Sequence, residues 1–255
     1  MILILLTIIT ISALLAPMGC IMLWHRYNYF HDGLVHACLF SGVISCFLNI
    51  PQIISMMVVA IIFASLVFIL KFYSNKNAVV SLVSSLFLAV SIILASKLNE
   101  RALFDTMLFG DVFTIEPHSF FLAIGMLIFM VILIWKYLNA IVIMSLDVDI
   151  AKSAKIAVNL IEFALLLMLA LVIAVSIKLI GAFLIGTLLI IPAIGARLVA
   201  KSPLQMIIFA ALIGVVAGIC GFNLSLIYDW PLSPSISVIS IAIYIVISMI
   251  QRFKI

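Results

Sequence analysis

Residues 29–38 read YFHDGLVHAC and bring one carboxylate, Asp32, beside two of the chain's four histidines, His31 and His36. Residues four apart on a helix share a face, so Asp32 and His36 line up, with Asn28 one turn earlier on the same stripe. His31 is rotated by about 100° from Asp32, and Cys38 by about 200° from His36, which takes both off that stripe. A carboxylate oxygen and an imidazole nitrogen on one face are ligands for a borderline divalent ion such as Zn²⁺, with Mn²⁺ or Fe²⁺ also accommodated. Two ligands are too few for a tight site, which suits an ion that must leave as well as enter. A structural Asp–His hydrogen bond would use the same residues. Ionisable groups inside a span cost about 2.5–3.5 kcal/mol on insertion scales, however, and tend to mark pathways. Metal binding needs the carboxylate ionised and the imidazole neutral, so transport through this pair is expected to weaken at low pH.

The signatures of covalent and hydrolytic chemistry fail. No G-x-x-x-x-G-K-[ST] occurs; the nearest imitation, Gly181 to Gly186–Thr187, lacks the lysine, so the chain is not expected to hydrolyse nucleotide itself. H-E-x-x-H and G-x-S-x-G are both missing, which argues against an intramembrane protease or esterase. Cys20, Cys38, Cys46 and Cys220 form no C-x-x-C pair and sit in apolar stretches, as small core fillers do. His118, beside Glu116, and Asp229 could line a cation-attracting rim, although ordinary solvated loop residues are the simpler reading. With catalysis set aside, transport remains.

The elements that must position Asp32 and His36 are set by composition. Of 255 residues 68% are hydrophobic and 9% charged, against about a quarter charged in ordinary soluble domains. A soluble fold could not hide so much apolar surface, and the runs are continuous rather than alternating, so an all-α polytopic membrane protein is expected and a barrel is not. The N-terminal run lacks a basic start and a small-residue cleavage pattern, and reads as a retained span. Spanning-length runs fall at about 2–24, 27–50, 52–72, 78–96, 119–138, 157–177, 180–196, 204–227 and 234–250. That gives nine spans, or eight if one of the two runs parted by Lys178 and Leu179 is broken or re-entrant. Residues 1–255 form one transmembrane domain. Ten of the 13 basic residues fall in alternate loops beginning with 25–31, which puts that loop and the C-terminal segment in the cytoplasm and 97–118 and 228–235 outside. No basic cluster with interleaved aromatics is present, so nucleic acid is not an expected partner.

Gly214 and Gly218 make a G-x-x-x-G continued by Gly221, a stripe for close helix approach within the fold or, less favoured, between copies. Pro192, small residues to Ala196, then Arg197, Lys201 and Pro203 suggest a short basic helix bounded by prolines. It reads as a helix end with inside-positive charge or as a docking knob. Residues 145–158 read as an interfacial helix opened by Asp147 and Asp149. YDWPLSP at 228–234 reads as a rigid outer turn with an aromatic anchor.

Four segments together, 16–43, 108–117, 177–200 and 228–236, resemble the membrane permeases of zinc/manganese/iron(II) ABC importers, above all those of the high-affinity zinc-uptake type. The resemblance runs the length of the chain. It implies a fold like that of the vitamin-B12-type (type II) importers and a homodimer. It also implies cytoplasmic ABC ATPase subunits, a periplasmic metal-binding protein and location in the bacterial inner membrane, with the metal as transported substrate and no resident cofactor. Its D-x-x-x-H falls on Asp32 and His36, expected in the path, and its P-A-x-x-A-R on Pro192, Ala193, Ala196 and Arg197, expected to engage the ATPase. Two positions depart: the family's glycine before the aspartate is His31, and the glycine of its outer turn is Ser233. The competing function is a stand-alone ion-coupled transporter or channel for divalent cations, against which stands the lack of a clear internal repeat.

Overall fold

The computed structural model describes residues 1–73, 75–96 and 117–252, the side chains at 117 and 118 aside. The expectations for 97–116, including Glu116, and for the His118 side chain lie outside what is described. The helices are α1 (Ile2–Trp24), α2 (Phe30–Leu48), α3 (Gln52–Leu70), α4 (Lys76–Ala95), α5 (Pro117–Leu146), α6 (Val148–Ser153), α7 (Val158–Ile180), α8 (Ala182–Val199), α9 (Pro203–Tyr228) and α10 (Leu232–Arg252). Nine of these, all but α6, are long and apolar enough to cross a membrane, and no strand occurs among the described residues.

The lipid-facing logic is visible side chain by side chain. Trp135, Phe121 and Ile93 lie exposed on the outside of the bundle, while α7 and α1 are its most enclosed helices. Helices apolar all round belong in such a setting. α1 packs on α8 and α9, and α10 closes over both of these; α2, α3 and α4 pack together, and α3 lies along α7.

Glycines set the closest approaches. A Cβ at Gly19 would stand 1.6 Å from the Leu189 carbonyl oxygen, so α1 and α8 touch backbone to backbone there. The Gly214–Gly218–Gly221 stripe is spent inside the fold, as favoured. Gly214 and Gly218 meet Ala16 and Ser12 of α1, and a Cβ at Gly221 would lie 2.5 Å from the Ile236 Cα of α10.

Four boundaries differ from the expected ones. α5 runs on to Leu146, past the expected end near 138. α7 runs through Lys178 and Leu179 to Ile180, and the chain turns at Gly181, whose φ of 82° suits glycine. Lys178 is half-buried in the last turn of α7, where a long cation can reach outward and favour the helix C-terminus. α8 continues through Pro192 to Val199 rather than breaking at the proline, so no separate short basic helix forms there. Neighbouring helices tolerate an intramembrane proline, and Pro192 is buried. The fourth difference is the start of α2, taken up below.

The polar connections behave as expected. Asp147 caps α6, its Oδ1 accepting from Asp149 N at 2.7 Å and Ile150 N at 3.2 Å. Ser202 caps α9 with Pro203 at its first position. At the turn between α9 and α10 Asp229 adopts a left-handed φ of 51°, the Ser225 hydroxyl donates to the Trp230 carbonyl at 2.7 Å, and Tyr228 stacks on Trp230. Ser233, one of the two departures, is buried and donates to the Ile180 carbonyl at 3.0 Å, tying the start of α10 to the end of α7.

Candidate metal path on helix α2

The α1–α2 turn fixes where α2 begins. His25 and Tyr27 are buried, although they sit in a polar connection. Arg26 takes a left-handed φ of 60°, and the Tyr27 carbonyl accepts from Phe30 N at 3.0 Å. Tyr27 and Phe30 meet edge to face, as do Phe30 and Phe63 of α3. With Phe30 locked in this way, α2 starts three residues later than Tyr27, and the exposed Asn28 is left in the turn. Asn28 therefore does not extend the Asp32–His36 stripe.

The buried face of α2 carries Phe30, Gly33, Leu34, Ala37, Cys38 and Ser41. Gly33 lets it close on α3 and α4: a Cβ there would lie 2.9 Å from Val80 Cγ1 and 3.1 Å from Phe63 Cζ. That packing sets the rotation of the helix. Asp32 then falls in the first turn with 61% of its side chain open, and His36 one turn on, half-buried, with Nδ1 enclosed and without a hydrogen-bond partner. The midpoint of the helix is residue 39, so His36 lies nearer the middle than Asp32, about 6 Å further along.

His31 does not behave as its position on the helical wheel suggests. It is 6% exposed, and its Nε2 stands 3.2 Å from Asp32 Oδ1. The ring lies against Gly186 of α8, where a Cβ would come within 3.0 Å of Nε2. A long flat ring reaches around the helix further than the Cα rotation implies. Among the described residues no three His, Cys, Asp or Glu side chains gather at one point.

A second polar cluster lies at the ends of α3, α4 and α7 that the basic residues assign to the cytoplasm. Glu162 of α7, 8% exposed, accepts from Lys71 Nζ at Oε2, and at Oε1 from Lys76 Nζ at 2.8 Å and Tyr27 Oη at 2.7 Å. Lys71 also lies over the Phe68 ring and Lys76 over the Tyr27 ring. Burial pushes the Lys71 ammonium below its ordinary range, opposed by Glu162. Burial also pushes the Tyr27 phenol up, with Glu162 adding to it. The His25 imidazole is pushed down to about 4, by burial first and then by Lys76. Sequence reasoning missed this cluster. Its signal was the lone carboxylate of VNLIEFALLL in an apolar run, since an ionisable residue in a span needs a partner.

Of the four residues matched to P-A-x-x-A-R, Pro192, Ala193 and Ala196 are buried within the chain and Arg197 is exposed. Cys20, Cys38 and Cys220 form no disulfide.

This geometry has relatives. The chain is 30% identical over 254 residues to the "High-affinity zinc uptake system membrane protein ZnuB" of Haemophilus influenzae, covering 97% of this chain and 96% of that one. It is 27% identical to the "Manganese import system permease protein ScaB" of Streptococcus gordonii, over 95% of this chain and 88% of that one. Among solved structures, PsaBC from Streptococcus pneumoniae in complex with Fab matches with a TM-score of 0.83 and 25% identity, over 96% of this chain and 89% of that chain. The ABC 3 transport family model matches residues 1–251, and this multi-pass membrane protein belongs to that family.

Proposed function

We propose that the chain is the membrane-spanning permease subunit of an ATP-driven divalent-metal importer of the bacterial inner membrane, with zinc as its first substrate. The observation that carries this reading is Asp32. A carboxylate with 61% of its side chain open, on a helix this apolar, is costly against lipid. That face of α2 therefore meets water, an ion or another protein surface. His36 follows one turn on, half-buried, with an enclosed Nδ1 that has no hydrogen-bond partner. Together they offer oxygen and nitrogen to a cation in transit. The relatives from Haemophilus influenzae and Streptococcus gordonii, named for zinc uptake and manganese import, supply zinc and manganese as candidates.

The chain carries no phosphate-binding loop, so ATP is hydrolysed by separate cytoplasmic subunits. A metal-binding protein delivers the ion outside, and a second copy of the chain faces the first across the path. In this reading Arg197, exposed at the cytoplasmic end of α8, meets the ATPase, and the buried Pro192, Ala193 and Ala196 couple its movement to the helix bundle. Metal-resolved uptake tests the path, in cells lacking their own importers and supplied with the complete system. Asp32→Ala and His36→Ala are each expected to lower uptake about tenfold or more at matched expression. Unchanged uptake in both variants overturns the path. Metal flux without an associated ATPase would make the chain a stand-alone carrier.

A further inference from the structure

We propose that His31 is itself a metal ligand in this chain, forming with Asp32 a two-atom bite held in place by Gly186 of α8. This rests on the transport path proposed above. The two polar atoms, His31 Nε2 and Asp32 Oδ1, are 3.2 Å apart. Zinc bonds to imidazole nitrogen and carboxylate oxygen run near 2.1 Å, so one ion held by both would subtend an angle of about 100°. That lies between octahedral and tetrahedral geometry, and both are open to zinc and its neighbours. The same gap can hold a single shared proton, and the experiment below separates the two occupants.

Three further observations favour the ion. The His31 ring is 6% exposed and fixed, so the bite is preformed. The Asp32 side chain keeps most of its surface open, so an ion has an approach and a free coordination side. The ring's place depends on the absence of a side chain at Gly186: a Cβ there would lie 3.0 Å from Nε2 and 3.2 Å from Cδ2. Gly186 belongs to the helix whose far end carries exposed Arg197. A shift of α8 would move the wall against which His31 rests and change the bite. Motion at the cytoplasmic end thereby reaches the ion without any contact between the two sites.

The chemistry predicts a specificity effect. A nitrogen ligand favours zinc over manganese, which prefers oxygen. His31→Ala is expected to raise the half-saturating zinc concentration for uptake about tenfold or more and to lower the zinc-to-manganese uptake ratio. Gly186→Ala, which displaces the ring, is expected to act in the same direction and to add little in a His31→Ala background. Purified chain in nanodiscs loaded with Co²⁺ reports the ligand directly, because loss of a nitrogen donor changes the visible absorption band. His31→Gln provides a second variant that keeps bulk and polarity but not the imidazole, and it should shift the band as His31→Ala does.

An unchanged Co²⁺ spectrum and unchanged metal ratio in His31→Ala and His31→Gln, with Asp32→Ala still abolishing uptake, would overturn the ligand role and leave the transport reading standing. Full uptake in Asp32→Ala and His36→Ala as well would remove both. Reduced uptake with an unchanged spectrum would make His31 a packing residue and also overturn the proposal.

Discussion

Tyr27 Oη donates to Glu162 Oε1 at 2.7 Å, joining the α1–α2 turn to the start of α7 across 135 residues of sequence. Lys71 and Lys76 complete the carboxylate's partners. With the Tyr27–Phe30 and Phe30–Phe63 ring contacts it holds the turn from which α2 begins.

Removing the carboxylate should be severe. Lys71 is 6% exposed at the side chain and would be left as a buried cation without its counter-charge, a change that costs about 3–5 kcal/mol. Glu162→Ala is therefore expected to lower the thermal midpoint of the purified protein sharply. Lys71→Met in that background should recover a large part of the loss. Additive losses in the double variant would mean that the pair is not coupled. Lys76, 37% exposed, should matter less.

A pH dependence of stability follows from His25. Its folded pKa, about 4, lies below the ordinary 6.5, so below pH 6.5 the unfolded chain takes up a proton that the folded chain refuses. Stability is expected to fall as pH drops from about 6.5 towards 4, and not to change on this account above that window. His25→Asn should flatten this part of the curve in thermal unfolding of the detergent-solubilised protein. A slope that His25→Asn leaves as steep would assign it to other groups.

The glycines divide into those that bear a close approach and those that do not. Gly19→Ala and Gly221→Ala place a Cβ 1.6 Å from Leu189 O and 2.5 Å from Ile236 Cα, so neither variant should yield normally folded protein. Gly125 has nothing within 4 Å of such a Cβ, and Gly125→Ala should stabilise α5 by about 0.5–1 kcal/mol. Yield and thermal midpoint in one detergent make the comparison.

Arg197 is exposed, so Arg197→Glu should leave stability within about 0.5 kcal/mol of wild type. The same variant is expected to reduce co-purification of the cytoplasmic ATPase. Full retention of the ATPase would move the contact elsewhere.

What the sequence disclosed follows from the range of the forces involved. The spans were legible because burial in lipid is a property of local composition, and the helix at 148–153 because Asp147 caps it from within the same few residues. The Asp32–His36 stripe was legible from helical spacing alone. The start of α2 was not, because Tyr27 is held by a residue 135 positions away. His31 was misplaced by a rule that follows Cα directions, whereas its contact with Asp32 depends on ring length and on the missing side chain at Gly186. Pro192 looked like a boundary because proline breaks helices in water; enclosed by neighbouring helices, it sits within one.

The backbone contact between Gly19 and Leu189 bears on how such a protein can move. Two helices that meet without intervening side chains cannot slide past one another by exchanging rotamers, so α1 and α8 form a single link in the kinematic sense. Any rocking of α8 carries α1 with it, and α1 ends in the turn from which α2 departs. Three of the joints around this link, at Arg26, Asn49 and Gly181, hold positive φ.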